Sequence, residues 1–431
     1  MKRKIISAGL IVAGVAGMRI SAMADSAVAM PKFWNVGANL RGFYDDNYNI
    51  SGTSKGSAGA ELSPSVSLNV PLQQTDFGIR YTYGLYYYED RDHTGLDPFD
   101  MSHQADVWVD HAFNERWKGN FKDTFVSGQE PALLRPGSTA ADSSYYRMNG
   151  DNIANHGTLG LDTAWTRLFS TTLTYGNNFY DYAQKGWNST NGVASRAGTL
   201  NRVEQSVALD LKWDVQQDTT VFVGYQLAWS DFNAGEQIGQ YTNAVPQTIV
   251  YHSKDLNSLS HYGYVGATHQ FTSNFGVTAR GGATYTDDYN TSKTTWSPYA
   301  DVSANYTYAE GSHIQLGVTH DVSATDAISV NEVNGSLTQN AESTVVYLDI
   351  TRRFLPSLVG EVIGRYQNSV FNGGANDNEA DNDLSLGVNL HYQINRYLGA
   401  EAGYNYDHVL SQIAGRGFER NRVYVGLGFN Y

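Results

Sequence analysis

Three oxygen-bearing side chains near the start of the chain have the spacing of metal ligands. Asp45, Asn47 and Asn49 lie in the stretch FYDDNYNISG and match the first three ligand positions of a calcium loop, D-x-[DN]-x-[DN]-G. Ile50 stands where that loop requires glycine, and no glutamate follows at the spacing of the last ligand. The stretch is therefore a weak calcium candidate, and its default interpretation is a polar loop in water.

The residue types that enzymes use are present, but they do not form catalytic patterns. The 11 histidines are scattered, and the sequence contains neither H-E-x-x-H nor G-x-S-x-G. Asp106 and Asp110 could act as a pair of carboxylates, although carboxylates are also expected along a water-filled channel. We therefore predict that the protein is not an enzyme and that it uses no cofactor.

Composition excludes several classes of protein. The 431 residues include 30 tyrosines and 43 glycines and carry a formal net charge of -14. An acidic chain without a basic cluster is not expected to bind nucleic acid. Because cysteine is absent, disulfides and thiolate metal sites are excluded. No apolar run long enough to cross a bilayer as a helix follows the first 30 positions, whereas a transmembrane β-barrel is compatible with the sequence.

The N-terminus has the three parts of a secretory signal peptide. A charged start, KRK, precedes an apolar segment and then small residues, with cleavage predicted after Ala24 or Ala29. We predict that residues 1–29 are the signal peptide and that residues 30–431 form one domain.

Apolar and polar residues alternate from Trp34 to the end of the chain, which is typical of β-strands with two different faces. In ELSPSVSLNV, Leu62, Val66 and Leu68 share one face, and the other face is polar. Short turns alternate with longer polar loops, as in outer-membrane barrels. A soluble β-sandwich or propeller would carry more charge on its polar face. We predict an all-β fold, a transmembrane antiparallel up-and-down β-barrel of about 18 strands, with 16 as the alternative.

If the apolar faces contact lipid, the polar faces line the lumen. Acidic residues outnumber basic ones on these faces, which predicts a mild preference for cations. We expect neighbouring charges to pair, such as Glu61 with Arg80, and Glu401 with Arg420 and Arg422. The lumen-lining candidates are Arg41, Glu61, Arg80, Asp106, Asp110, Asp210, Lys212, Arg280, Asp301, Glu361, Arg365, Glu401, Arg420 and Arg422.

Tyrosines at strand ends are candidates for the aromatic girdle that lies at the headgroup level of a membrane. The predicted girdle residues are Tyr44, Tyr88, Tyr180 and Tyr285. The longest predicted loops, residues 130–151 and 233–255, are candidates to fold inward and narrow the pore.

Two stretches resemble known proteins. The end of the chain, RVYVGLGFNY, alternates up to Phe429 and Tyr431 and resembles the terminal strand of Gram-negative outer-membrane proteins, which the barrel assembly machinery reads. The early stretch LRGFYDDNYN and the tyrosine-rich strands resemble the putative beta-barrel porin 2 family, whose members are often associated with exopolysaccharide export. The resemblance implies the Gram-negative outer membrane as the location. It implies outer-membrane lipid, the assembly machinery and polysaccharide-export proteins as partners.

These observations predict a porin-like channel for passive diffusion of small hydrophilic solutes. The first alternative is the outer-membrane component of an exopolysaccharide secretion system, and the second is a structural barrel with a closed lumen.

Overall fold

A computed structural model of the chain describes residues 33–95, 97–128, 151–188, 192–243 and 247–431. The predicted signal peptide and nearly all of the predicted loop at 130–151 lie outside the described residues.

The described chain forms a single closed barrel of 18 antiparallel strands, which confirms the predicted fold class and the larger of the two strand numbers. Each strand pairs with the next, and β20 pairs with β1 to close the sheet. The barrel strands are β1 (Trp34–Asp45), β2 (Ser57–Pro71), β3 (Thr75–Tyr88), β4 (Phe99–Ala112), β5 (Trp117–Gly128), β6 (Asn152–Ala164), β7 (Phe169–Tyr182), β8 (Arg202–Gln216), β9 (Thr219–Phe232), β12 (Ser258–Thr272), β13 (Phe275–Asp288), β14 (Lys293–Ala309), β15 (Ser312–Ser323), β16 (Asn340–Leu355), β17 (Leu358–Asn372), β18 (Ala380–Gln393), β19 (Leu398–Ser411) and β20 (Phe418–Asn430).

The remaining elements lie in the long loops. Strands β10 (Gln237–Thr242) and β11 (Thr248–His252) form a separate hairpin between β9 and β12, followed by a 3-10 helix at Ser253–Leu256. Helix α1 (Glu89–Thr94) connects β3 to β4, and helix α2 (Arg196–Leu200) precedes β8. No helix in the described ranges combines the length and the apolar character needed to span a bilayer.

The alternation of the sequence determines which side of the wall each residue faces. In β1, Trp34 and Leu40 are exposed on the outer face, whereas Phe43 and Asp45 are buried on the inner face. A bilayer offers no hydrogen-bond partners for an open sheet edge, so the last strand must pair with the first. The backbone of Tyr431 extends this closure, because its N–H and its carbonyl both bond to Val36, at 2.9 and 3.1 Å.

The connections confirm the predicted asymmetry between the two ends of the barrel. Tight turns join β2 to β3, β8 to β9 and β16 to β17, whereas the loops at the other end are generally longer. By the rule for outer-membrane barrels, the tight turns face the periplasm and the long loops face the outside. Residues 324–339, between β15 and β16, add no barrel strand and form a long external loop.

Candidate functional site

The inner wall of the barrel has two contrasting parts. On β16–β20, β1 and β2, the inward side chains are mostly buried against one another, and we call this the packed sector. On β3–β5, the inward side chains Arg80, Gln104, Asp110, Lys118 and Lys122 are exposed, and we call these five residues the open sector.

A network of ion pairs holds the packed sector together. Arg41 Nε donates to Glu401 Oε1 at 2.6 Å, and Arg41 Nη1 donates to Glu61 Oε1 at 3.1 Å. Arg422 Nη2 lies 3.7 Å from Glu61 Oε2. Each carboxylate thus has a guanidinium partner, which offsets the cost of its burial.

The partners in this network differ from the expected ones. Arg80 pairs in register with Ser67 and not with Glu61. Glu401 is bonded to Arg41, on the second strand along, and not to Arg420 or Arg422. The expected pairs were wrong because the tilt of the strands brings together residues that are offset along neighbouring strands.

The weak calcium candidate was also wrong, because an arginine occupies the place of the cation. Asp45 Oδ2 accepts a hydrogen bond of 2.8 Å from Arg420 Nε, and Asp45 Oδ1 accepts one of 3.0 Å from the Asn47 N–H. The side chain of Asn49 donates to Ser51 Oγ. Asp45 and Arg420 are 0 % and 1 % exposed, so this pair belongs to the packed sector.

Arg365 and Glu361 also lie in the packed sector. Arg365 Nη1 lies 3.9 Å from Asp383 Oδ2, and Glu361 Oε2 accepts a hydrogen bond of 3.2 Å from Asn389 Nδ2. Both predicted residues face inward, but neither side chain is exposed to the lumen.

The wall opposite β1 repeats the combination of buried aromatic rings and charges. Phe222, Tyr262 and Tyr264 cluster on the inner faces of β9 and β12. Arg280 Nε lies 3.4 Å from Asp301 Oδ2, and Tyr264 donates to Asp210 at 2.8 Å. A further predicted residue, Lys212, lies on the inner face of β8 within electrostatic reach of Asp162 and Asp210.

Several aromatic rings of the inner wall lie over glycines of neighbouring strands. A Cβ atom on Gly224 would overlap the Tyr264 ring, and one on Gly403 would overlap the Tyr424 ring. Because glycine has no side chain, each ring can lie along the wall instead of projecting into the lumen.

The open sector exposes charges that have no ion pair among the described residues. Arg80, Asp110 and Lys122 are exposed and enter no salt bridge in that part of the chain. Asp106, between them on β4, accepts hydrogen bonds from Thr124 Oγ1 at 3.0 Å and from Gln104 Nε2 at 3.1 Å. Charges of both signs therefore face water on this side of the barrel.

Of the four tyrosines predicted to form the aromatic girdle, two face the lipid as that role requires, and the other two face the lumen. Tyr44 is 52 % exposed on the outer face, and Tyr285 faces outward beside Trp296, with ring centroids 5.0 Å apart. Tyr88 is 0 % exposed on the inner face and packs on Phe43.

Tyr180 also faces inward, where the Arg202 guanidinium lies 4.2 Å from its ring centroid. The alternation of inward and outward residues along β3 and β7 indicates that Tyr88 and Tyr180 both face the lumen. Tyr88 has the same parity as Arg80, and Tyr180 has the opposite parity to the outward Leu173.

The external loops pack together over one part of the barrel mouth. Loop 324–339 contacts the β10–β11 hairpin, where Tyr241 donates to the carbonyl of Val333 at 3.0 Å and Tyr251 donates to that of Gly335. Leu337 of the same loop is buried with Phe232 and Leu256. The loop predicted at 233–255 to fold inward therefore packs on another loop, and we call the two together the cap.

One arginine joins the cap to the packed sector, and sequence reasoning missed it. Arg416 bonds both oxygens of Asp326, at 2.9 and 3.0 Å, and Asp381 Oδ2 at 2.9 Å. Burial disfavours its charge, but Asp326 and Asp381 outweigh that effect and raise the pKa of Arg416. The same loop packs on Phe232 at the end of β9, so it extends over part of the barrel mouth.

The C-terminal residues that form the predicted assembly signal lie at the periplasmic rim. Phe429 is exposed on the outer face of β20, and the Tyr431 ring stacks on Tyr397 with centroids 5.7 Å apart. Their recognition by the assembly machinery stays a prediction.

Comparison with known proteins matches nearly the whole described chain to one family. The sequence profile of the family described as putative beta-barrel porin 2 matches residues 35–431. No curated protein matches the chain. Among solved structures, OccAB4 from Acinetobacter baumannii is 10 % identical with a TM-score of 0.42, covering 93 % of this chain and 99 % of that one. The siderophore receptor PirA from Pseudomonas aeruginosa is 10 % identical with a TM-score of 0.43, covering 94 % and 81 %. Structural similarities of this size support no functional conclusion.

Proposed function

The chain belongs to the putative beta-barrel porin 2 family, and we propose that this porin-like outer-membrane barrel is a channel for passive diffusion of small hydrophilic solutes. The observation that carries the proposal is the open sector. Arg80, Lys122 and Asp110 point into the lumen, are exposed to water and have no ion-pair partner among the described residues. Charges left in this state indicate an aqueous path along β3–β5, because an unpaired charge away from water is costly.

Charged residues lie along this path from its periplasmic end to the middle of the wall. Lys118 and Asp110 lie near the tight periplasmic turn between β4 and β5, so solutes would leave along them. Arg80, Asp106 and Lys122 lie nearer the middle of the wall, where charges of both signs would favour polar solutes over apolar ones.

The first test is the single-channel conductance of the refolded mature protein in a planar bilayer. We expect a steady conductance. The faster gel migration of unheated samples than of heated ones shows that the barrel is folded. A folded barrel that conducts no ions would contradict the proposal and would favour a closed structural barrel or a polymer exporter.

Cysteine accessibility then locates the path, because the natural chain contains no cysteine. In Lys122→Cys, a charged, water-soluble thiosulfonate reagent should react and reduce the current. The matched control is Ser385→Cys in the packed sector, where the natural side chain is 0 % exposed. Equal effects at the two positions, or none at Lys122→Cys, would show that the current does not follow the open sector.

A further inference from the structure

A row of polar side chains crosses the outer, lipid-facing wall on four neighbouring strands. Asp123 of β5 pairs in register with Gly157 of β6, which pairs with Asn177 of β7, and Asn177 pairs with Gln205 of β8. Asn155, the next outward residue of β6, donates to Asp123 Oδ1 at 2.9 Å. We call these five residues the outer polar stripe.

The orientation of the stripe follows from the alternation of each strand. Phe121 and Phe125, on either side of Asp123 along β5, are exposed on the outer face. The intervening Thr124 bonds to the lumenal Asp106, so it faces inward. Asp123 therefore faces outward between two exposed aromatic rings, within the apolar band.

Asp123 differs in position from the other outward-facing carboxylates of the described strands. Those lie at the extracellular strand ends, where they contact water: Asp181, Asp231, Asp287, Glu342 and Glu419. A carboxylate within the apolar band is destabilising when it faces lipid. In addition, no side-chain hydrogen bond of Asn177 or Gln205 occurs within the described part of the chain.

We propose that the outer polar stripe is a lateral interface with a second copy of this chain, which presents the same stripe. The stripe contains a carboxylate that accepts hydrogen bonds and amides that donate and accept them, so two copies can satisfy each other. An interface of this kind, made by one patch on both subunits, is the usual form in symmetric dimers.

Two features favour a protein over a lipid as the occupant. The acyl chains at the depth of the apolar band offer no hydrogen-bond partners to a carboxylate or an amide, whereas the polar side chains of a second protein do. Gly157 has no side chain, and the Asp123 carboxylate lies against its Cα hydrogens, since a Cβ there would be 3.1 Å from Asp123 Oδ2. The wall is therefore thin at the centre of the stripe, which allows a second wall to approach closely.

Cysteine crosslinking in native outer membranes tests this interface without relying on channel activity. Asn177→Cys should form a covalent dimer with a short bis-maleimide. The control, Val388→Cys, is outward-facing on β18 on the other side of the barrel and should not. Equal crosslinking at both positions, or none at Asn177→Cys, would overturn the proposal.

A second measurement separates a protein partner from a lipid. Native mass spectrometry of the wild type should show a dimer. The double variant Asn177→Leu/Gln205→Leu, whose apolar side chains suit lipid, should be a folded monomer, as judged by migration of unheated samples. A wild-type monomer that retains lipopolysaccharide, and releases it in the double variant, would assign the stripe to lipid and contradict the proposal.

Discussion

The packed sector and the open sector of the inner wall use the same kinds of charged residue with opposite results. In the packed sector, Arg41 and Arg422 balance the charges of Glu61 and Glu401, and all four side chains are nearly excluded from water. In the open sector, Arg80 and Lys122 are exposed. The number of charges on the lumenal face therefore does not determine ion selectivity. A paired, buried charge stabilises the wall, and only a free charge exposed to the lumen acts strongly on a passing ion.

The largest effect should come from breaking a buried pair in the packed sector. Arg420→Ala would leave Asp45 buried without its main partner, and losses of about 3–5 kcal/mol are typical when one member of a buried pair is removed. The measurement is the free energy of unfolding in urea, followed by tryptophan fluorescence in lipid vesicles. Lys122→Ala in the open sector is the control and should change stability little. Similar losses in both variants would remove the distinction between the sectors.

The contact of an aromatic ring with glycine should give the next largest effect. In Gly403→Ala, the new Cβ would overlap the Tyr424 ring, and overpacking of this kind costs about 1–3 kcal/mol. The matched control is Gly42→Ala on the outer face of β1, where a Cβ meets no atom within 4 Å. The same unfolding assay compares them, and a loss in the control as large as in Gly403→Ala would disprove the role of the ring.

A smaller effect is expected where the cap joins the packed sector. Arg416→Met removes the bonds to Asp326 and Asp381. Because the Arg416 side chain is partly exposed, water screens these pairs and a loss of about 1 kcal/mol is expected. Hydrogen–deuterium exchange of residues 324–339 should become faster. Lys55→Met also removes one positive charge, but from another external loop, and it should leave the exchange of residues 324–339 unchanged. Unchanged exchange in Arg416→Met would mean that this residue does not hold the cap.

The smallest free-energy change concerns selectivity in the open sector. Arg80→Gln and Lys122→Gln should each shift the reversal potential in a salt gradient toward cations. A unit charge at about 8 Å in water contributes about 0.5 kcal/mol, or about a twofold change in the permeability ratio. Lys185→Gln, in an exposed external loop, should have no effect. A shift as large at the control position would locate selectivity outside the open sector.

Much of the lumenal surface was predictable from the sequence, and most of its contacts were not. Alternation placed Arg41, Arg80 and Glu361 on the inner face, because side chains of a strand point to opposite sides in turn. The same rule, applied to Tyr88 and Tyr180, contradicts their selection as girdle residues. Their place at strand ends favours the girdle, but parity is the stronger signal.

Local residue patterns predict the barrel, its antiparallel order, the alternation of tight turns and long loops, and the face of each strand residue, because these depend on residues close together in the chain. The pairing of the charges, in contrast, is visible only in the folded barrel. Arg41 of β1 meets Glu401 of β19 across β20, and Arg416 meets Asp326, 90 positions away. Such contacts exist only after the sheet has closed with a particular stagger between strands, and no local pattern records that stagger.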